Sequence, residues 1–228
     1  MNVTSTDSTP IRLELNAPVP DFEAQTTEGI IRLSDWEKDK WVILFSHPAD
    51  FTPVCTTELM AFAKRDNEFK QKGVALLGCS VDSVFSHIAW ARSIQEKFGI
   101  KINFPIIADL EQNVSRLYGM IHEPSSNTST VRCVFFIDPK RILRAMIYYP
   151  MNVGRNFDEI TRVIDALQMA DANKVACPAN WMPGDDVIVP APMTVDSAEQ
   201  RMESKEYQVT DWYFAMRKMP KAQISKRH

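Results

Sequence analysis

Residues 41–71 read WVILFSHPADFTPVCTTELMAFAKRDNEFKQ, an apolar run that leads through a short polar segment into a helical pattern. The run at 41–45 is apolar throughout, which is typical of a strand buried on both faces. From Thr56 to about Gln71, apolar residues recur at the spacing of an amphipathic helix: Leu59, Phe62, Ala63 and Phe69. The segment therefore predicts a buried strand followed by a helix.

The alternation of strands and helices continues along the chain. Apolar spacing predicts further strands at 74–78 and 104–107, and helices at 85–98, 114–118 and 157–167. The apolar runs 131–137 and 142–149 flank an Asp-Pro-Lys-Arg turn and predict a β-hairpin. This order predicts an α/β domain with a central mixed sheet, which is parallel at first, closed by the hairpin and flanked by helices.

The composition changes after Ala172, where the chain becomes rich in proline and loses its periodicity. The features that follow are proline-rich segments at 177–184 and 189–192, a predicted short helix at 197–205 and an aromatic cluster at 212–214. A segment with so few apolar residues would not hold a core alone. We therefore predict a main domain at 10–172 and an extension at 173–228, which packs on that domain or on another subunit.

Charge and composition argue against several classes of protein. The chain has 228 residues, with 26 Lys and Arg against 29 Asp and Glu, so its net charge of -3 argues against nucleic-acid binding. No apolar run approaches the length needed to cross a membrane, and the polar N-terminus does not resemble a secretion signal. Four cysteines are too few for a disulfide-stapled scaffold, so we expect a reducing, cytoplasmic compartment.

Cys55 occupies a position that favours a reactive sulfur. Thr52 and Pro53 form a typical helix opening, with Thr as the N-cap and Pro at the first helical position. Cys55 is then the third helical residue, near unpaired backbone N–H groups and the positive end of the helix dipole, which favour the thiolate. The alternative role, a small buried apolar residue, does not account for this placement at the carboxyl end of a buried strand, where α/β sheets bind ligands.

The spacing Pro48-x-x-x-Thr52-x-x-Cys55 resembles the active-site motif of the peroxiredoxins. Later blocks are similar to that family in the same order: 51–59, 80–83, 104–106 and 131–138. Residues 156–160 and the long tail resemble the one-Cys subgroup. The resemblance implies a thioredoxin-like fold with a C-terminal dimerisation extension.

The resemblance also implies a reaction, the reduction of hydrogen peroxide or an alkyl hydroperoxide in antioxidant defence. The Cys55 thiolate attacks one peroxide oxygen and becomes a sulfenic acid, so the redox chemistry needs no cofactor. In the family, the residue at Thr52 binds peroxide and sulfur through its hydroxyl. Arg132 would supply fixed positive charge, and Pro48 would shield the pocket from water.

Three further residues are supporting candidates. Glu58 and Arg155 resemble the family's supporting pair, and the alternative is a surface ion pair of little energetic consequence. His47 resembles a histidine that lies close to the cysteine in the one-Cys subgroup, and the alternative is a structural histidine. The remaining histidines, at 87, 122 and 228, lack metal-ligand spacing, so we predict no metal site.

The other cysteines have different expected roles. Cys79 ends a predicted strand and Cys133 should face away from Arg132, so both are predicted to pack in the core. Cys177 lies in a string similar to that around the resolving cysteine of two-Cys peroxiredoxins, although the long tail is of the one-Cys type. Two alternatives stay open: Cys177 condenses with Cys55 of a partner subunit, or it takes no part.

The resemblance implies partners as well as chemistry. The substrate would be a peroxide, the electrons would come from an external thiol reductant, and the chain would form a homodimer; rings of five dimers occur in the family. A ring-forming chaperone holdase or a redox relay is an alternative function. A thioredoxin-like disulfide oxidoreductase would need a second cysteine within a turn of Cys55, which the sequence lacks.

Overall fold

The computed structural model describes residues 13–36 and 38–219. The chain divides into two compact units, one ending at Arg155 and the other beginning at Asn156. Among the described residues, the helices are either too short or too polar to span a membrane.

The N-terminal unit is built on a seven-stranded sheet. Its strands are β1 (Glu23–Thr26), β2 (Gly29–Arg32), β3 (Trp41–Ser46), β4 (Val74–Ser80), β5 (Ile106–Ala108), β6 (Arg132–Ile137) and β7 (Leu143–Tyr149). They are arranged in the order β2-β1-β5-β4-β3-β6-β7. Strands β3, β4 and β5 are parallel, and the β6–β7 hairpin joins β3 in antiparallel pairing. The predicted mixed α/β sheet is therefore confirmed.

The helices of this unit connect the central strands. They are α1 (Pro53–Gln71), α2 (Val84–Phe98) and α3 (Asn113–Leu117). The α1 helix contacts β4, and α2 contacts β5. The α2 helix ends at Phe98, as predicted, and Gly99 caps it with a φ of 69°, a left-handed conformation that glycine adopts without strain.

The centre of the sheet is buried. Every residue of β3, β4 and β6 is buried, as expected for strands covered on both faces. Cys79 and Cys133 pack in one apolar cluster with Leu44, Leu77 and Phe135, which confirms their predicted core positions.

The C-terminal unit contains α4 (Phe157–Asn173), α5 (Val195–Met202) and a small sheet. The sheet strands are β8 (Val187–Ile188), β9 (Gln208–Asp211) and β10 (Phe214–Arg217), in the order β8-β10-β9. Met169 of α4 packs with Trp181 and Val187 in the core of this unit. The structural division therefore falls before α4, earlier than the predicted boundary at 172 and 173, because this helix shares a core with the segment that follows it.

Candidate active site

Cys55 lies in the first turn of α1, immediately after the segment that leaves β3. The helix begins as predicted, with Thr52 at the N-cap position and Pro53 in the first turn. The Thr52 hydroxyl is not used as a cap, because it donates instead to the carbonyl oxygen of Ala49 at 2.9 Å. The residue before it, Phe51, has a φ of 56°, so a left-handed backbone conformation orients the helix opening. Cys55 itself is buried, with 1% of its surface exposed.

Arg132, the first residue of β6, places its guanidinium beside this sulfur. Its Nη1 lies 3.4 Å from Cys55 Sγ, although the two residues are 77 positions apart in the sequence. Nε and Nη2 donate to the Met151 carbonyl oxygen at 3.0 and 2.6 Å, which fixes the plane of the guanidinium. Arg132 therefore places a fixed positive charge and an N–H donor beside the sulfur, in a buried setting where water screens charge only weakly.

Glu58 connects the two arginines of the site. Its Oε2 accepts from Arg132 Nη1 at 2.6 Å and from Arg155 Nη2 at 2.7 Å, and its Oε1 accepts from Arg155 Nε at 2.9 Å. Burial alone would raise the pKa of Glu58, but the charge and hydrogen bonds of Arg155, together with the charge of Arg132, hold that pKa below its ordinary value. Glu58 and Arg155 are both buried, so they do not form the alternative surface pair.

The charges of this network leave a place for an anion. Two guanidinium groups and one carboxylate carry a net charge of about +1. An uncompensated buried charge is costly, so the network is suited to an anion beside Arg132.

Two residues that the sequence analysis missed hold the arginines in place. Arg155 Nη1 donates to the carbonyl oxygens of Ser46 and Cys133 at 2.9 and 2.8 Å. The Ser46 hydroxyl accepts from the Cys133 N–H and donates to the Val131 carbonyl, which ties β3 to the residues on both sides of Arg132. Met151 accepts from Arg132 through its backbone carbonyl oxygen, a role that no pattern of side chains in the sequence predicts.

His47 belongs to a second buried cluster, with Asp50 and His87. Its Nε2 lies 2.8 Å from Asp50 Oδ1, and His87 Nδ1 lies 2.8 Å from Asp50 Oδ2. Burial lowers the pKa of His47, against the opposing effect of Asp50, and the two histidines hold the pKa of Asp50 below its ordinary value although burial would raise it. The sequence analysis did not connect Asp50 or His87 with His47.

One ligand atom from each member of this cluster lies within 4.8 Å of the others, a separation at which they could hold a metal ion. The ring nitrogens that face Asp50 are already in hydrogen bonds to its carboxylate, which accounts for their proximity without a metal. The expectation that the chain has no metal site stays a prediction.

The remaining candidates lie in the connecting segment and in the C-terminal unit. Pro48 is buried and Thr52 is half-buried, both between β3 and α1. Cys177 is half-buried in the C-terminal unit, where its Sγ lies 3.5 Å from the Ala166 carbonyl oxygen. Burial raises the pKa of the Cys177 thiol.

Comparison with known proteins shows the family to which the chain belongs. Residues 15–146 match the AhpC/TSA family, and residues 166–205 match the C-terminal domain of 1-Cys peroxiredoxin. The chain belongs to the peroxiredoxin family. The peroxiredoxin of Aquifex aeolicus is 54% identical over 215 residues, covering 90% of this chain and 96% of the relative. The peroxiredoxin of Thermoplasma volcanium is 55% identical over 199 residues, covering 87% and 96%.

Solved peroxiredoxin structures share the fold. A yeast mitochondrial 1-Cys peroxiredoxin matches with a TM-score of 0.82 and 43% identity, over 91% of this chain and all (100%) of the other. A cysteine-to-serine mutant of peroxiredoxin 6 from Arenicola marina matches with a TM-score of 0.83 and 36% identity, over 92% and 100%. These matches confirm the predicted thioredoxin-like fold and the one-Cys subgroup. The protein is a thiol peroxidase, whose chemistry is cysteine-based and which uses a peroxide and an external thiol reductant.

Proposed function

We propose that Cys55 is the cysteine that reduces peroxide and that Thr52, Arg132 and Pro48 complete its pocket. The 3.4 Å contact between Arg132 Nη1 and Cys55 Sγ is the main support. The thiolate forms a bond to one peroxide oxygen while the O–O bond breaks, and its electron pair leaves on the other oxygen. That oxygen takes up a proton and departs as water or an alcohol, and Cys55 is left as a sulfenic acid.

Arg132 is suited to stabilise the leaving oxygen. A guanidinium has five N–H donors, and four of them are used by Cys55, Glu58 and, twice, the Met151 carbonyl. The fifth, on Nη2, has no partner among the residues that the structure describes and remains for the peroxide. A fixed donor aimed at developing negative charge accelerates such a step, and a low thiol pKa alone would not, because nucleophilicity falls as pKa falls.

The other supporting residues act on these groups. Glu58 holds the guanidiniums of Arg132 and Arg155 at fixed positions, through the short hydrogen bonds given above. His47 supplies a buried ring nitrogen beside the pocket segment that begins at Pro48. Pro48, which has no N–H and is buried, limits the access of water to that segment.

We also propose a one-Cys catalytic cycle, in which an external thiol reduces the Cys55 sulfenic acid. The burial of Cys177 and its raised pKa disfavour attack by this thiol. The yeast mitochondrial relative is described as using glutathione/thioredoxin systems for thiol resolution, and we propose a reductant of the same class for this chain. Condensation of Cys177 with Cys55 of a partner subunit is the competing cycle.

We propose a homodimer in the cytoplasm. Large aromatic residues are exposed at the β9–β10 hairpin: Trp212, Tyr213 and Phe214. Exposed apolar surface of this kind is typical of an interaction site. The four free thiols are consistent with a reducing compartment. Sedimentation of the reduced protein tests the dimer, and a ring of five dimers would sediment much faster.

Mass spectrometry after one equivalent of hydrogen peroxide tests the role of Cys55 and the cycle together. We expect the wild-type protein to gain one oxygen on Cys55, and Cys177→Ser to behave in the same way. Cys55→Ser should gain no oxygen and should lose peroxide consumption with a thiol reductant. An intact Cys55 thiol in the oxidised wild type would refute the proposal, and a Cys55–Cys177 disulfide would replace the one-Cys cycle by the two-Cys cycle.

A further inference from the structure

Phe51 adopts an uncommon backbone conformation directly before the helix that carries Cys55. Its φ of 56° lies in the left-handed region, which a residue with a Cβ atom populates about tenfold less often than the right-handed region. Its side chain is 58% exposed, with the ring centroid 6.3 Å from that of Trp90, so the ring buries little surface that could offset this cost. A strained residue persists where the surrounding structure fixes it, and such residues cluster at functional sites.

The residue before Phe51 is fixed through its side chain. Asp50 is buried, its Oδ1 lies 2.8 Å from His47 Nε2, and its Oδ2 lies 2.8 Å from His87 Nδ1. His87 belongs to α2 and is fully buried, and its Nε2 lies 3.1 Å from the Ile107 carbonyl oxygen in β5. The Asp50 carboxylate therefore joins the segment after β3 to α2 and, through His87, to β5.

The backbone of Asp50 is fixed as well. Its N–H donates to Asp82 Oδ2 at 3.1 Å. The same oxygen accepts from the hydroxyl of Ser80, the last residue of β4, at 2.7 Å. Asp50 is therefore held through its carboxylate and through its backbone, and these contacts tie it to α2 and to the end of β4.

Thr52 fixes the chain on the other side of Phe51. Its hydroxyl donates to the Ala49 carbonyl oxygen at 2.9 Å, which closes the turn around Phe51. Its carbonyl oxygen accepts from the N–H and the hydroxyl of Thr56, at 3.0 and 2.8 Å, in the first turn of α1. The Trp90 ring N–H donates to that hydroxyl at 3.3 Å. Phe51 therefore lies between two fixed ends, and its conformation sets the direction in which α1 begins.

We propose that Asp50 is a positioning residue for the peroxidase reaction, because its contacts hold Phe51 in the left-handed conformation that directs Cys55 towards Arg132. The inference rests on the proposed role of Cys55. Asp50 acts through the geometry of the turn and requires no contact with the reacting atoms. When the turn is populated only in part, the rate constant of the peroxide step falls by the same factor, because only the aligned fraction reacts.

Glycine and alanine at position 51 test this role through the conformation that Asp50 imposes. Both substitutions remove the ring, but glycine adopts the left-handed region freely, whereas alanine keeps the Cβ atom and its cost. With Asp50 in place, Phe51→Gly and Phe51→Ala should have kcat/KM values for hydrogen peroxide within about twofold of each other, with dithiothreitol as the reductant. In an Asp50→Ala background, the variant with Phe51→Gly should be about tenfold faster than the variant with Phe51→Ala.

Asp109→Ala is the matched control for the loss of a buried aspartate. Asp109 lies in the same unit, and its carboxylate accepts from the Val114 and Ser115 N–H groups at the start of α3. This variant should lose stability but keep kcat/KM for hydrogen peroxide within about twofold of the wild-type value. Asp50→Ala should lower that value by about tenfold, because Phe51 keeps its Cβ atom.

Hydrogen exchange reports the turn without any reaction. The Thr56 amide, which donates to the Thr52 carbonyl oxygen, is measured by nuclear magnetic resonance in the full-length reduced protein. In the Asp50→Ala background we expect this amide to exchange about tenfold faster with Phe51→Ala than with Phe51→Gly, because the turn that supports it is less populated.

Equal kcat/KM values and equal exchange rates for the two double variants would overturn the proposal. If Asp50→Ala does not fold, Asp50→Asn takes its place, since it keeps the shape of the side chain and removes one of the two acceptor oxygens. The difference between glycine and alanine should then have the same sign, and its absence would overturn the proposal equally. A Cys55→Ser protein that keeps its activity would refute the proposed role of Cys55 and leave the difference in exchange unchanged, so the two failures are distinguishable.

Discussion

Replacing Glu58 by Gln tests whether the active-site charges also support the fold. The substitution keeps the shape of the side chain and removes the carboxylate that both Arg132 and Arg155 contact. Glu58, Arg132 and Arg155 are buried, with 3%, 2% and 6% of their surfaces exposed. Water therefore cannot solvate the two arginines once the carboxylate is lost. The two guanidiniums would then repel each other inside the protein.

The expected cost is that of breaking a buried ion pair, about 3–5 kcal/mol in the free energy of unfolding. In a chain of this size each kcal/mol lowers the melting temperature by about 2–4 °C, so the loss should be about 6–20 °C. Calorimetry or chemical denaturation measures it, at a fixed protein concentration because subunit association adds to apparent stability.

Glu159→Gln is the matched control for this experiment. Glu159 also pairs with an arginine through both oxygens, at 2.5 and 2.7 Å from Arg162, but its side chain is 40% exposed. A surface pair of this kind contributes below about 1 kcal/mol. Equal losses in Glu58→Gln and Glu159→Gln would refute the reasoning, because burial is the feature that distinguishes the two pairs.

Further expectations concern the same network and the thiols. Arg132→Lys keeps a positive charge but loses the planar fork, so we expect kcat/KM for peroxide to fall by about 10²–10³-fold in steady-state assays, with the fold retained in circular dichroism. The pKa of Glu58 is lowered in the folded state, so the ionised carboxylate stabilises the fold above pH 4.5, its ordinary pKa. This stabilisation is lost as the pH falls through the pKa of the folded state. Glu58→Gln should therefore show a flatter acid-denaturation profile than the wild type. Burial raises the pKa of Cys133 to about 12 and raises that of Cys79 as well, so iodoacetamide should label these two thiols only after unfolding, as peptide mapping would show.

Local patterns were sufficient to predict much of the first unit. Buried strands and amphipathic helices repeat their apolar residues over many positions, so β3, α1, β4 and α2 were predicted within a few residues of their observed bounds. The helix opening at Thr52 and Pro53 depends on backbone chemistry within a single turn, and it places Cys55 as expected. By contrast, β1, β2 and the strands of the C-terminal unit are two to four residues long, too short to show a period.

Side-chain chemistry and local spacing at the start of α1 identified Cys55 as a candidate, and the resemblance to the peroxiredoxins added Glu58 and Arg132. Only the tertiary structure decided which partners those residues have. Glu58 meets Arg132 and Arg155 across 74 and 97 positions, and His87 meets Asp50 across 37, because the register of β3 with its neighbours brings distant segments to one end of the sheet. Contacts made through the Met151 and Ile107 backbone carbonyls depend on the path of the chain in space, since every residue has such a carbonyl.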